Sequence, residues 1–298
     1  MSLLNKTILI TGASRGIGLA IAKRAAQDGA NVVIAAKTDK PHPKLEGTIY
    51  SAAEECEKLG GKSLPIKMDI TDEKQIESCV NQTVEKFGGI DILVNNASAI
   101  DNSGTLKLSD KKYHLVNNVN GRGTFLMSKY CIPYLLDSDN AHVLNLSPPL
   151  NLDPKWFNIG GVGYTISKYN MSMAAFGMNQ EYLGKIGFNC LWPKTAIATA
   201  AIETLFGEIG IKTSRKVEIM SDTSHWILTQ NIEDCNGNFF IDEEVATQKL
   251  KMTKKELKKY NNSKILPLMP DLYVGNSTIL EKIGKWKISN NYNFDITI

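Results

Sequence analysis

The stretch "TILITGASRGIG", Thr7 to Gly18, decides how the rest of the chain is read. A short β-prone run leads straight into a glycine-rich turn, and a helical pattern follows at once. A turn of that kind leaves unpaired backbone N–H groups and the positive end of a helix dipole facing one spot, which suits a phosphate. Gly12 permits the tight turn, Gly16 lets a ligand approach the backbone, and Gly18 lets the helix sit close on the sheet. The spacing G-x-x-x-G-x-G differs from the dinucleotide fingerprint G-x-G-x-x-G, so taken alone it also fits a plain structural turn.

Working outward, apolar β-rich runs alternate with stretches of helical period. "TILIT" precedes a helix over Gly16 to Asp28, "NVVIAA" one over Thr48 to Leu59, and "SLPIKM" one over Asp72 to Phe87. The pattern continues with "IDILVNN", a helix from Val119 to Leu136, "AHVLNLS", a helix from Tyr164 to Gly184, and "GFNCLW". A helix over Val217 to Thr229 and the strand "GNFFID" close the series. Such alternation predicts an α/β fold, a doubly wound parallel sheet of about seven strands in one Rossmann-type domain. Residues 1–245 are expected to form that domain, and 246–298 a Lys- and Asn-rich C-terminal extension, a solvated helix leading into an irregular tail.

The 298 residues are 43% hydrophobic, enough to bury a large core. The net charge of +3 is spread along the chain, so nucleic acid is not an expected partner. Five cysteines stand far apart and read as reduced, buried thiols, and four scattered histidines give no metal-ligand spacing, so no metal is expected. Without a secretory pattern before Thr7 or a long apolar run, a cytoplasmic chain with no membrane span is expected.

The second strand ends near Ala36, where an acidic residue would bind the ribose 2′-OH of NAD. Here Lys37 follows the strand, and Arg15 lies inside the glycine turn. Two cations without a carboxylate favour a 2′-phosphate, hence NADP(H), the alternative being two ordinary surface cations. Further along, Tyr164 and Lys168 stand four apart in a helical segment and project from one face. A phenol can protonate an oxygen that gains charge during hydride transfer, and a nearby ammonium draws its pKa down.

These motifs, in this order, resemble the short-chain dehydrogenase/reductase family. The matches are TGxxxGxG at Thr11 to Gly18, NNAS for the family's NNAG at Asn95 to Ser98, NxxG at Asn120 to Gly123, and YxxxK at Tyr164 to Lys168. The resemblance implies that Tyr164 is the proton donor or acceptor, that Lys168 holds the nicotinamide ribose and tunes Tyr164, and that Asn120 positions a water. It places Gly12, Ser14, Arg15, Gly16, Ile17 and Gly18 on the cofactor phosphates, Asp69 on the adenine, Asn95 in support, and Pro193 against the nicotinamide. It also implies a homo-oligomer, and peroxisomal or mitochondrial relatives.

Two departures stand out. The family's catalytic serine is often the second of a Ser-Ser pair; in "NLSPP" that position is Pro148, and Ser147 lies farther from Tyr164 than usual. The insertion "LNLDPKWFNIGGVG" could bring Ser147 to the substrate oxygen, or Ser147 could be a buried strand-end hydroxyl. The family's Pro-Gly is Pro193-Lys194, which sets Lys194 near the nicotinamide. Trp156, Phe157, Trp192 and Phe206 are expected to edge the cleft, which favours an apolar acyl or sterol-like carbonyl or alcohol. The function expected is NADP(H)-dependent interconversion of an alcohol and a ketone or aldehyde. The alternatives are reduction of a conjugated C=C bond and a cofactor-binding protein without turnover.

Overall fold

A computed structural model describes residues 2–43 and 45–275. Strands β1 (Thr7–Thr11), β2 (Asn31–Ala36), β3 (Lys62–Lys67), β4 (Ile92–Asn95), β5 (Ala141–Asn145), β6 (Ile186–Trp192) and β7 (Phe239–Ile241) form one seven-stranded sheet. All neighbours pair in parallel, in the order β3-β2-β1-β4-β5-β6-β7. The order reverses between β1 and β4, which opens a crevice beyond their C-terminal ends. The fold class read from the sequence is the one observed.

Helices α1 (Gly16–Gln27), α2 (Ile49–Lys58) and α3 (Glu73–Phe87) follow the first three strands. After β4 come α4 (Asp110–Asn117), a π-helical turn at Asn118–Arg122 and α5 (Gly123–Leu135). Then α6 (Lys155–Ile159) and α7 (Val162–Glu181) precede β6, while α8 (Ala200–Lys212) and α9 (Glu218–Leu228) precede β7. Helix α4 was not expected, because "DKKYHLVN" is mostly polar; its Ser109 cap and the buried Val116 hold it in place. Helix α8 also escaped notice, since "AAIETLFGEIGIK" is interrupted at Gly207, whose φ is 62°.

Alternation within β1 explains why helices cover both faces. Ile8 and Ile10 pack with Ile21, Ala22 and Met220 on one side, and Leu9 packs with Ile76, Val80 and Met127 on the other. With no exposed face, these strands read as continuous apolar runs rather than alternating ones.

Beyond β7 lie α10 (Asp242–Glu244), a π-helical turn at Val245–Lys249 and α11 (Lys254–Leu257). Thr253 and Glu256 form a capping box for α11. Beyond the boundary expected at residue 245, Leu257 and Tyr260 join the core, and Tyr273 is fully buried. These anchors are hidden by the Lys- and Asn-rich composition around them. The part of the expected extension over residues 276–298 lies outside the described residues.

Asp28 ties α1 to α9. It accepts hydrogen bonds from Leu3 N (2.9 Å), Arg24 Nη1 (2.9 Å) and His225 Nε2 (2.8 Å). Arg24 Nη2 donates to His225 Nδ1, so the imidazole proton sits on Nε2 and points to Asp28. Burial opposes the charge of Asp28, yet the His225, Leu3 and Arg24 bonds outweigh it and hold the carboxyl well below the usual carboxylate range. Its contribution is therefore complete above the unfolded-state pKa and is lost as pH falls through the folded-state one. Asp28→Asn is expected to lower stability by about 2 kcal/mol at neutral pH and to flatten the acid limb of stability. Urea unfolding at neutral and acidic pH measures both; equal pH dependence in the two proteins would refute the assignment.

Candidate active site

The glycine turn is built by its neighbours. Gly12 and Gly16 adopt φ of 67° and 60°, which side chains disfavour. From the end of β4, Asn96 donates its side-chain amide to Thr11 O (2.9 Å) and Gly12 O (3.1 Å). In return Thr11 Oγ1 accepts from the backbone N–H groups of Asn96 and Ala97, both at 3.0 Å. A Cβ on Gly18 would lie 2.5 Å from Asn96 Nδ2 and 2.8 Å from Gly12 O, so α1 can sit this close only with glycine there. At Gly16, by contrast, a Cβ would meet nothing nearer than Thr199 Cγ2 at 3.7 Å. That open side, together with the absence of side-chain capping or first-turn acids on α1, leaves the N–H groups of its first turn uncapped by any side chain. The cradle suits a phosphate.

Tyr164 and Lys168 come from α7, are 4% and 2% exposed, and line a cleft of about 480 Å³. Lys168 Nζ donates to Leu146 O (2.7 Å) and to Met171 Sδ (3.3 Å), and lies 5.1 Å from the Trp192 ring centroid. Burial brings Lys168 down to about 7, against opposition from Asp271 and Cys190. Burial likewise pushes the Tyr164 phenol well above its ordinary value, with Tyr273 and Asp271 adding to it and the Ser98 hydrogen bond opposing. The phenol is therefore protonated at neutral pH, the form that can donate a proton.

Asn120 sits in the π-helical turn, a feature that often marks functional sites. Its side chain is fully engaged: Oδ1 accepts from Ala99 N (2.8 Å), and Nδ2 donates to Ala99 O (3.0 Å) and Ser167 Oγ (2.8 Å). Ser167 Oγ then donates to the Tyr164 carbonyl (2.7 Å). The amide thus positions the α7 segment that bears Tyr164 and Lys168.

The sequence model for short chain dehydrogenases matches residues 6–206. The chain belongs to this family. It is similar to hydroxysteroid dehydrogenase-like protein 2 of Xenopus laevis, 55% identical over 271 residues, which cover 91% of this chain and 64% of that protein. The chain thus spans a little under two thirds of the length of the curated relatives it matches. A crystal structure from Xanthomonas campestris has a TM-score of 0.88 at 45% identity, covering 93% of this chain and 100% of that one. An NADH-dependent reductase of alginate metabolism, crystallised with NAD, has a TM-score of 0.65 at 26% identity, covering 80% and 95%.

Within this family fold the residues singled out from the sequence divide into groups. Ile17, Tyr164, Lys168 and Pro193 line the cleft; Asn95 does not, and instead donates to Ser128 Oγ and Asn145 Oδ1 beneath it. Ser14 is buried in the turn, and Arg15 donates to the carbonyls of Glu46 and Gly47, both at 2.8 Å. Lys37, with its side chain 67% exposed, pairs with Asp69 at 2.8 Å, so this cation does have a carboxylate beside it.

Other residues singled out from the sequence stand away from the cleft or at its edge. Ser147 is fully buried beside the Cys190 thiol and does not line the cleft. The insertion after it folds as α6 and joins an aromatic cluster. Lys194 points away, pairing with Glu243 at 3.1 Å. Trp192 and Phe206 edge the cleft, whereas Trp156 packs on Tyr273 and Phe157 on Tyr169. Sequence reasoning also missed Asn96, Ser98, Thr199 and Asp271. The first two lie inside the recognised NNAS motif, so its neighbours were the available signal; nothing local marked Asp271.

Gly18→Ala is expected to cost about 1–3 kcal/mol of stability, because the added methyl meets backbone at Gly12. Denaturant unfolding and NADPH titration by fluorescence should both register the loss. Unchanged stability and affinity would contradict the close approach of α1 to Asn96.

Proposed function

We propose that this oxidoreductase uses NADP(H) to interconvert an alcohol and a ketone or aldehyde. The observation that carries the reading is that a protonated phenol and a buried lysine line one cleft with Ile17 of the glycine turn and Asn96, which ties that turn. A reduced nicotinamide bound there supplies a hydride. Turn residues 12–18 would hold the diphosphate, Pro193 and Lys168 would face the nicotinamide end, and Lys37 and Arg15 would meet a 2′-phosphate. Asp69, which lies next to Lys37, would bound the adenine side, and Asn95 supports the strand from below.

As hydride reaches the carbonyl carbon, the C=O π pair moves onto oxygen, and Tyr164 gives its proton to that oxygen. The phenolate left behind is reprotonated from solvent, and Lys168 stabilises it in its charged form. Oxidation of an alcohol runs the same transfers in reverse. Asn120 positions α7 for this chemistry. The transfers proposed need only Tyr164, Lys168 and the cofactor, and they assign no step to the buried Ser147.

The cleft is lined largely by apolar groups, among them Trp192, Ile202, Leu205, Phe206 and Met269, which supports an acyl or sterol-like substrate. Apolar residues exposed on α5 and α7, Phe125, Met173 and Phe176, support a homo-oligomer. Among the described residues no helix is long and apolar enough to cross a membrane.

Tyr164→Phe should abolish NADPH oxidation across a panel of apolar ketones and aldehydes while NADPH still binds. Retained carbonyl reduction would remove Tyr164 as the donor, and turnover of enoyl thioesters alone would favour C=C reduction. For the cofactor, Lys37→Ala is expected to weaken NADPH about tenfold, the worth of one charge-assisted hydrogen bond, and to leave NADH nearly unchanged. Equal losses for both would argue against a 2′-phosphate contact.

A further inference from the structure

Only two formal charges line the cleft among the described residues: Lys168 and Asp271. Asp271 comes from the segment beyond β7, which returns over the sheet and adds Met269, Pro270 and Leu272 to the cleft wall. That strap is firmly held. Ala196 N donates to Met269 O (2.9 Å), Asp271 N to Lys194 O (3.1 Å), and Trp192 Nε1 to Leu272 O (2.8 Å). Tyr273, at a φ of 65°, is clamped among Trp156, Tyr169 and Trp192, and its hydroxyl bonds Thr165 Oγ1 at 3.1 Å. One carboxyl oxygen of Asp271 accepts from Leu272 N at 2.7 Å, which fixes the side chain's direction.

Lys168 has only neutral acceptors within reach, a carbonyl and a thioether. A buried ammonium held by neutral groups alone is costly and sheds its proton. The groups that face it are Tyr164 on its own helix, Cys190 and Trp192 on β6, and Asp271 on the strap; Asp242 at the end of β7 acts on Asp271 from behind. Burial raises the Asp271 carboxyl, Asp242 adds to this, and Lys168 opposes it. Of the groups that line the cleft only Asp271, which burial raises to about 7, comes within range of a negative charge at neutral pH, since burial pushes the Tyr164 phenol well above its ordinary value, as it pushes the nearby Cys190 thiol up to about 12.

We propose that Asp271 is a positioning residue of the reaction: its carboxylate, brought in by the strap, is the counter-charge that keeps Lys168 an ammonium beside Tyr164. The inference rests on Tyr164 and Lys168 being the reacting pair. It makes the segment at 269–273 part of the site, with the Tyr273 anchor setting where the charge stands.

Competitive labelling of the full chain with acetic anhydride across a pH series, read by mass spectrometry at Lys168, reports the fraction of free amine directly. Asp271→Asn keeps the shape and the bond from Leu272 N, and should move the Lys168 midpoint to lower pH by about one unit. Asp271→Glu should restore most of the wild-type midpoint, which a purely structural role would not predict. Should the Asn variant fail to fold, Asp271→Leu makes the same comparison with an apolar group in an apolar cleft. An unmoved or raised midpoint, or a Lys168 that stays unlabelled in the variant, overturns the proposal. A wild-type chain that binds no NADPH would defeat the functional reading instead, while leaving the midpoint measurable.

Discussion

The side-chain amide of Asn96 donates to two carbonyls of the turn after β1, and the shape of the cleft depends on that tie. With Thr11 and Gly12 held from the next strand, the turn presents its N–H groups outward, and Gly18 brings α1 close enough to aim its N-terminus at the same point. The reversal of strand order between β1 and β4 places the tie at the mouth of the crevice. A substituent at any of these positions would either close the cradle or lift the helix from the sheet.

The chemistry at the other end of the crevice comes from burial. Desolvation moves the phenol of Tyr164 and the ammonium of Lys168 in opposite directions, toward the neutral form of each. Groups remote in sequence bear on the pair. The Asn120 amide fixes α7 through Ser167, while the strap brings one carboxyl to an otherwise apolar wall. Both act on the pair through geometry set elsewhere in the fold.

Much of this was legible in the sequence, for physical reasons. Strands buried on both faces give unbroken apolar runs, so "TILIT" and "NVVIAA" declare themselves, and a turn needing positive φ must show its glycines. Tyr164 and Lys168 were readable because helical spacing alone sets them on one face. What escaped depends on contacts between distant segments. The sequence left Ser147 open between a catalytic serine and a buried strand-end hydroxyl, and its full burial depends on packing that no local pattern shows. Lys37 looked like an unopposed cation until Asp69, from the loop after β3, was found against it. Asp271 and Tyr273 sit in a stretch whose composition suggests a solvated tail, and no local period signals that it folds back over the cleft.

The central claim is that the cradle and the Tyr164–Lys168 pair serve one bound cofactor. A crystal structure with NADPH soaked in tests it most directly. The account predicts the diphosphate on the N–H groups of residues 14–18 and the nicotinamide between Pro193 and Tyr164, within reach of the phenol. A diphosphate elsewhere, or a nicotinamide turned away from Tyr164, would contradict it.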